Sequence, residues 1–236
     1  MRSCLRFLLV FALALLPACA SQHTAPPRTG GGFTPSQLAK SDIDRVAEAH
    51  QREIFQHLRV LAEKLYRRNP RELSKSGQST VDVGVARIFD VHHDWRFAEL
   101  RGARGTAAIQ LALREDYAGD RVLAYIVGVA SMIQTAFHDK TEFFMLDDLD
   151  AQGLHNAARN VEIAVWKLSN TRNAQAQLLL LSNDIAGATI NLSFEREFGK
   201  VIASLDILSK IAADKGNRTV VKAFQTIATA VFLPIR

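Results

Sequence analysis

Cysteine is nearly absent from this chain. Only Cys4 and Cys19 occur in 236 residues, and no thiol follows residue 19. An internal disulfide, a zinc–thiolate centre and a cysteine nucleophile are therefore excluded from the part that could fold. Apolar runs long enough to cross a membrane are missing as well. The unbroken apolar run at 7–16 would cover about 15 Å as a helix, and the uncharged stretch 122–137 about 24 Å, against a hydrocarbon core of about 30 Å. Charge of either sign is not in great excess, with 29 basic and 24 acidic residues giving a net +5. That balance is too mild to argue for nucleic acid. Also missing are a Gly-rich phosphate loop, a Gly-x-Ser-x-Gly elbow and a His-Glu-x-x-His pair, so no cofactor is implied.

What is present begins with Arg2 and Arg6, a positive head before the run at 7–16. A positive head, a short apolar middle and small residues ahead of a cut make a secretory signal. The run closes on Leu16-Pro17-Ala18-Cys19, which resembles the lipobox of bacterial lipoprotein precursors. Pro17 stands where a small residue is usual. The resemblance covers residues 1–19. It implies cleavage after Ala18, diacylglycerol on the Cys19 sulfur and an acyl chain, such as palmitate, on the new amino terminus. Loss of residues 1–18 takes two arginines with it and lowers the net charge to +3. Ala20 is not the Asp that the lipoprotein family links with inner-membrane retention. By resemblance the destination is the outer membrane, facing the periplasm.

Residues 20–35 hold three prolines and three consecutive glycines, with little to bury. A flexible tether of this length spans about 20–25 Å on average. The expected organisation is thus a signal at 1–18, a lipidated tether at 19–37 and a helical domain at 38–234.

From residue 41 the pattern is helical. Ile43, Ala47, Ile54, Leu58, Leu61 and Leu65 recur at three- and four-residue spacing, which predicts an amphipathic helix to about residue 68. Asn69-Pro70-Arg71-Glu72 reads as a new start, with Asn as cap, and Gly77 as a stop. Val81, Val85, Ile88 and Phe89 have helical spacing, though their β-branched content leaves a strand open. The polar, basic stretch 92–105 reads as an irregular connection or a frayed helix. A modest helix follows at 106–115.

The stretch 122–137 predicts a helix apolar all round, as expected in the middle of a bundle. Ala124 and Gly128, one turn apart, would admit a close neighbour. Leu154, Ala158, Val161, Val165 and Leu168 face inward on a helix at about 151–169. The four leucines at 178–181 read as a buried helical piece, and 185–191 as ambiguous. Ser193 opens a helix with Phe194, Phe198, Val201, Leu205, Leu208 and Ala212 inward. Asn217 caps a last one carrying Val220, Phe224, Ile227 and Val231, ending at Pro234. No period of 33–47 residues recurs, so a repeat solenoid is not supported. The expected fold is an all-α, single-domain bundle around a central apolar helix.

Candidate chemistry sits where histidine and carboxylate cluster. His92, His93, Asp94, His138 and Asp139 supply ligand types suited to zinc, manganese or iron, and a His–Asp pair suits general base work. The two His-Asp doublets resemble, over two residues each, the metal-dependent phosphohydrolases named for that dipeptide. The context His93-Asp94-Trp95-Arg96 departs from theirs, and the chain is not assigned to them. His50, Glu53 and His57 share one side of the first helix, but the Glu-x-x-His spacing of bundle metal sites is absent. Arg67, Arg68, Arg71 and Lys75, then Arg96, Arg101 and Arg104, make two basic patches that could face lipid phosphates. They lack the interleaved aromatics of a nucleic-acid groove. The function expected is a lipid-anchored, non-catalytic binding or scaffolding domain acting on another envelope protein. The alternative is a tethered metal-dependent hydrolase on the His/Asp cluster.

Overall fold

A computed structural model describes residues 40–144, 147–183, 190–216 and 231–235. The lipobox and tether, residues 184–189 and the helix expected from Asn217 lie outside the described residues. Within them the fold is all-α, with seven α-helices and no strand. The helices are α1 (Asp42–Arg68), α2 (Pro70–Lys75), α3 (Val81–Phe89), α4 (Gly105–Ala112), α5 (Arg121–Ala136), α6 (Ala151–Asn170) and α7 (Ser193–Gly216).

Helix α1 starts where its first turn is satisfied locally. Ser41 Oγ accepts from the Asp44 N–H at 3.3 Å, and Asp44 Oδ2 accepts from the Ser41 N–H at 2.7 Å. This reciprocal capping box closes two of the free donors at the helix start. Ala47, Ile54, Leu58, Leu61 and Leu65 are all fully buried, while Ile43 is only half-buried. The stretch through Val81, Val85, Ile88 and Phe89, open between strand and helix, is helix α3, started by Thr80 Oγ1 accepting from the Val83 N–H. Its β-branched residues are tolerated because Val85 and Ile88 are buried by tertiary packing, which outweighs intrinsic preference.

Four long helices form the frame. Helices α1 and α7 run antiparallel, as two contacts at opposite ends show. Lys215 Nζ lies 3.5 Å from Asp44 Oδ1, and His57 Nδ1 lies 2.8 Å from Glu197 Oε2. Helices α6 and α7 are antiparallel too, with Ser209 Oγ donating to the Ala151 carbonyl at 2.7 Å and Arg159 bonded to Asp206 at 2.8 Å. Helix α5 fills the middle. Fifteen of its sixteen residues are buried, which is why its sequence shows no polar face.

Helix α4 lies directly on α5, and Gly128 is what permits it. A Cβ at Gly128 would stand 2.6 Å from the Ile109 backbone nitrogen and 2.9 Å from the Gly105 carbonyl oxygen. At the same crossing Ser131 Oγ accepts from the Gly105 N–H at 2.8 Å. At the other end the buried Arg121 guanidinium donates to the carbonyls of Ala112, Arg114 and Glu115 at 2.6, 2.6 and 3.0 Å. These oxygens lie at and just past the end of α4, where a cation offsets the helix dipole.

Three expectations need correction. Residues 178–181 are not helical: Leu178 bridges back to Arg172, Leu180 alone is buried, and Leu181 is 46% exposed. A run of leucines has no period, so it carried no information about which backbone would bury it. Asn69 does precede α2, but its side chain does not cap that helix. Instead Nδ2 donates to the carbonyls of Leu65 and Leu181, and Oδ1 accepts from the Leu181 N–H at 2.8 Å. The long-range peptide outcompetes the local donor. Val231, expected on an inner helical face, is 64% exposed and non-helical.

Candidate functional site

A cleft of about 900 Å³ opens between three segments of the fold. One wall is the outward side of α1, from Gln51 to Arg59. The second is the end of α3 and the turn after it, from Ile88 to Arg96. Arg104, Gln134, Asp139 and Thr141 close the third side.

The aromatic floor is built around Trp95. Its ring stacks on Phe55 of α1 at 5.7 Å between centroids, and meets the edge of Phe89 at 6.1 Å. Trp95 sits at φ 59°, directly after Asp94 at φ 48°. Asp enters the left-handed region comparatively easily, whereas a bulky side chain there is strained by about 1–3 kcal/mol. The Trp95 conformation is held by its N–H, which donates to His93 Nδ1 at 2.9 Å. His93 Nε2 in turn lies 2.8 Å from the Ile88 carbonyl and donates to it, so the ring carries its proton on Nε2. The His93 ring also packs 4.3 Å from Phe97. His93 is therefore a scaffold for the turn, with both nitrogens occupied.

Charged pairs brace the walls. Arg59 grips Asp90 with both terminal nitrogens, Nη2 to Oδ2 at 2.8 Å, and its guanidinium also covers the Phe89 ring. The guanidinium holds the Asp90 carboxyl below its usual value, chiefly through the hydrogen bond, and the same bond raises Arg59. On the third side Arg104 Nη2 donates to Asp139 Oδ1 at 2.8 Å. Two glutamines fix the neighbouring backbone: Gln51 Nε2 and Gln134 Nε2 both donate to the Lys140 carbonyl, at 2.7 and 2.8 Å. Arg52 and Arg96 line the cleft with no carboxylate partner among the described residues.

Of the candidates named from sequence, His92, His93, Asp94 and Asp139 share this cleft, and His138 does not line it. His92 and Asp94 are exposed, their side chains 3.5 Å apart. Among the described residues no three of His, Cys, Asp and Glu converge as metal ligands. The second candidate set is also separated. His57 reaches across to Glu197, whereas Glu53 is exposed. Burial alone would raise the Glu197 carboxyl, but hydrogen bonds from Lys200 and His57 bring it below its usual value. In the basic patches Arg67 pairs with Glu63, Lys75 with Glu72 and Arg104 with Asp139.

Sequence reasoning missed Phe55 and Arg59 as partners of the turn, together with Gln51, Arg52 and Gln134. The available signal was Trp95, one of only two tryptophans, set beside the His-Asp doublet. No protein-family model matches this chain, and neither does any curated protein or solved structure.

Proposed function

We propose that the chain is a lipid-anchored envelope protein whose helical domain is a binding module. The anchor reading rests on Leu16-Pro17-Ala18-Cys19 after a short apolar run, and on the Pro/Gly-rich stretch that follows. No helix among the described residues is long and apolar enough to cross a membrane. The covalent lipid is then the attachment, at the outer membrane on the periplasmic side.

The cleft against Trp95 is the module's binding face, and its occupant is an acidic segment of another envelope protein. The observation that carries this reading is the placement of two guanidiniums, Arg52 and Arg96, beside the stacked Phe55–Trp95 pair. Aromatic surface supplies apolar contact at low entropic cost, and a free guanidinium takes a carboxylate in two parallel hydrogen bonds. Arg59 and Arg104 are already paired, so Arg52 and Arg96, which have no carboxylate partner among the described residues, mark where the acidic groups would sit.

The test is site-specific photocrosslinking from Val91, exposed on the cleft wall, in living cells. A discrete crosslinked partner is expected, lost on the double replacement Arg52→Glu and Arg96→Glu and kept on replacing Arg196, which does not line the cleft. An unchanged crosslink in the double variant, or none in the wild type, would overturn the reading.

A further inference from the structure

Helix α6 carries two asparagines, one turn apart, that are buried inside the fold: Asn160 is fully buried and Asn156 is 9% exposed. A buried amide is costly without partners. Here the main-chain partners lie outside every helix. Asn160 Oδ1 accepts from the Leu233 N–H at 2.6 Å, and its Nδ2 donates to the Leu233 carbonyl at 2.8 Å. One turn earlier Asn156 Nδ2 donates to the Pro234 carbonyl at 2.8 Å, with Gln152 holding Asn156 Oδ1 at 2.8 Å. Residues 231–235 thus run as a non-helical segment antiparallel to α6, with Phe232 under Lys167 at 5.7 Å.

We infer that this face of α6 is a receptor for an extended apolar peptide, occupied in cis by residues 231–235 and opened to a partner's segment when they leave. The two asparagines of α6 read only main-chain groups there, so an extended segment offering the same N–H and carbonyls, with a ring to lie under Lys167, fits. Pro234, which lacks an N–H, is placed where only a carbonyl is used. The occupant is only partly buried, with Phe232 and Ile235 resting against the core. Val231 and Pro234 are exposed, Phe232, Leu233 and Ile235 are only half-buried, and a cavity of about 500 Å³ lies alongside them, against Met132 and Thr135. A segment none of whose side chains is fully buried opens locally at less cost than global unfolding. The partner's segment is accordingly an aromatic or aliphatic pair followed by proline. It must compete with a tethered occupant whose effective concentration is of order millimolar. This site shares Arg104 with the rim of the Trp95 cleft but uses different contacts and does not depend on that reading.

The experiment uses the whole mature chain and a fluorescent peptide with the sequence of residues 230–236. Leu233→Pro removes the N–H that Asn160 holds in cis and leaves the receptor face untouched. The peptide is expected to bind this variant at least tenfold more tightly than the wild type, and to be lost again when Asn160→Ala is added. Equal, undetectable binding to wild type and to a folded Leu233→Pro would overturn the inference. Hydrogen exchange on the wild-type chain decides the matter even if the variant does not fold. The Leu233 amide is expected to exchange at least a hundredfold faster than the slowest amides of α5, and protection equal to theirs would mark residues 231–235 as a permanent part of the fold.

Discussion

The Tyr66 hydroxyl donates to Asp120 Oδ2 at 2.9 Å, deep between the end of α1 and the start of α5. The other carboxylate oxygen caps α5 by accepting from the Leu123 N–H at 2.9 Å. Burial raises the Asp120 carboxyl above its usual value, and these hydrogen bonds offset only part of that. Burial and the neighbouring carboxylate both push the Tyr66 hydroxyl upward as well.

A pH dependence follows with a definite sign. Asp120 binds its proton more tightly folded than unfolded, so its favourable contribution is present below the unfolded value near 4 and is lost as pH rises through the folded one. Asp120→Asn keeps a capping oxygen but does not titrate. Its stability relative to the wild type is expected to improve between pH 4 and pH 7. Urea midpoints of both proteins at the two pH values check this, and a relative loss with rising pH would contradict it.

His93→Ala removes the acceptor for Trp95 N–H and the donor to Ile88, leaving both backbone groups short of partners. A loss of about 1–3 kcal/mol is expected, with a red shift of tryptophan emission as Trp95 leaves its stack. A chelator is expected to leave the wild-type melting temperature unchanged, because both His93 nitrogens already have partners. A chelator-dependent fall would return the residue to metal binding.

Two glycines should respond with opposite signs. Gly128→Ala drives a methyl into the backbone of α4 and is expected to cost about 1–3 kcal/mol. Gly199 lies in mid-helix, and a Cβ added there would meet nothing within 4 Å, so Gly199→Ala is expected to stabilise by about 0.5–1 kcal/mol. Denaturant midpoints decide by direction alone.

Cys19→Ala tests the anchor. Acyl chains contribute about 0.8 kcal/mol per buried methylene, so two or three make attachment effectively permanent. The variant is expected to leave the outer-membrane fraction for soluble or unprocessed forms. A salt-resistant membrane pellet would refute the lipobox reading.

How far the sequence determined this protein follows from the range of the forces involved. Helix periodicity and caps are local, so α1, α5, α6 and α7 were legible from Ser41, the stripe through Leu65, the uncharged stretch 122–137 and the face from Phe194 to Ala212. The close contact at Gly128 was legible too, because only a missing side chain lets two backbones approach. What tertiary structure alone decided was every choice between competing partners. Asn69 could cap α2 or hold Leu181, and His93 could bind a metal or brace Trp95. Asn156 and Asn160 could face solvent or the main chain of residues 231–235. The leucines at 178–181 could pack as helix or as an extended strap. In each case the winning partner lies on a neighbouring element or follows from how the chain turns, and the spacing of residues does not encode it. The cleft is of the same kind. Its walls come from α1, the turn after α3 and the end of α5, segments that only the packed bundle brings together.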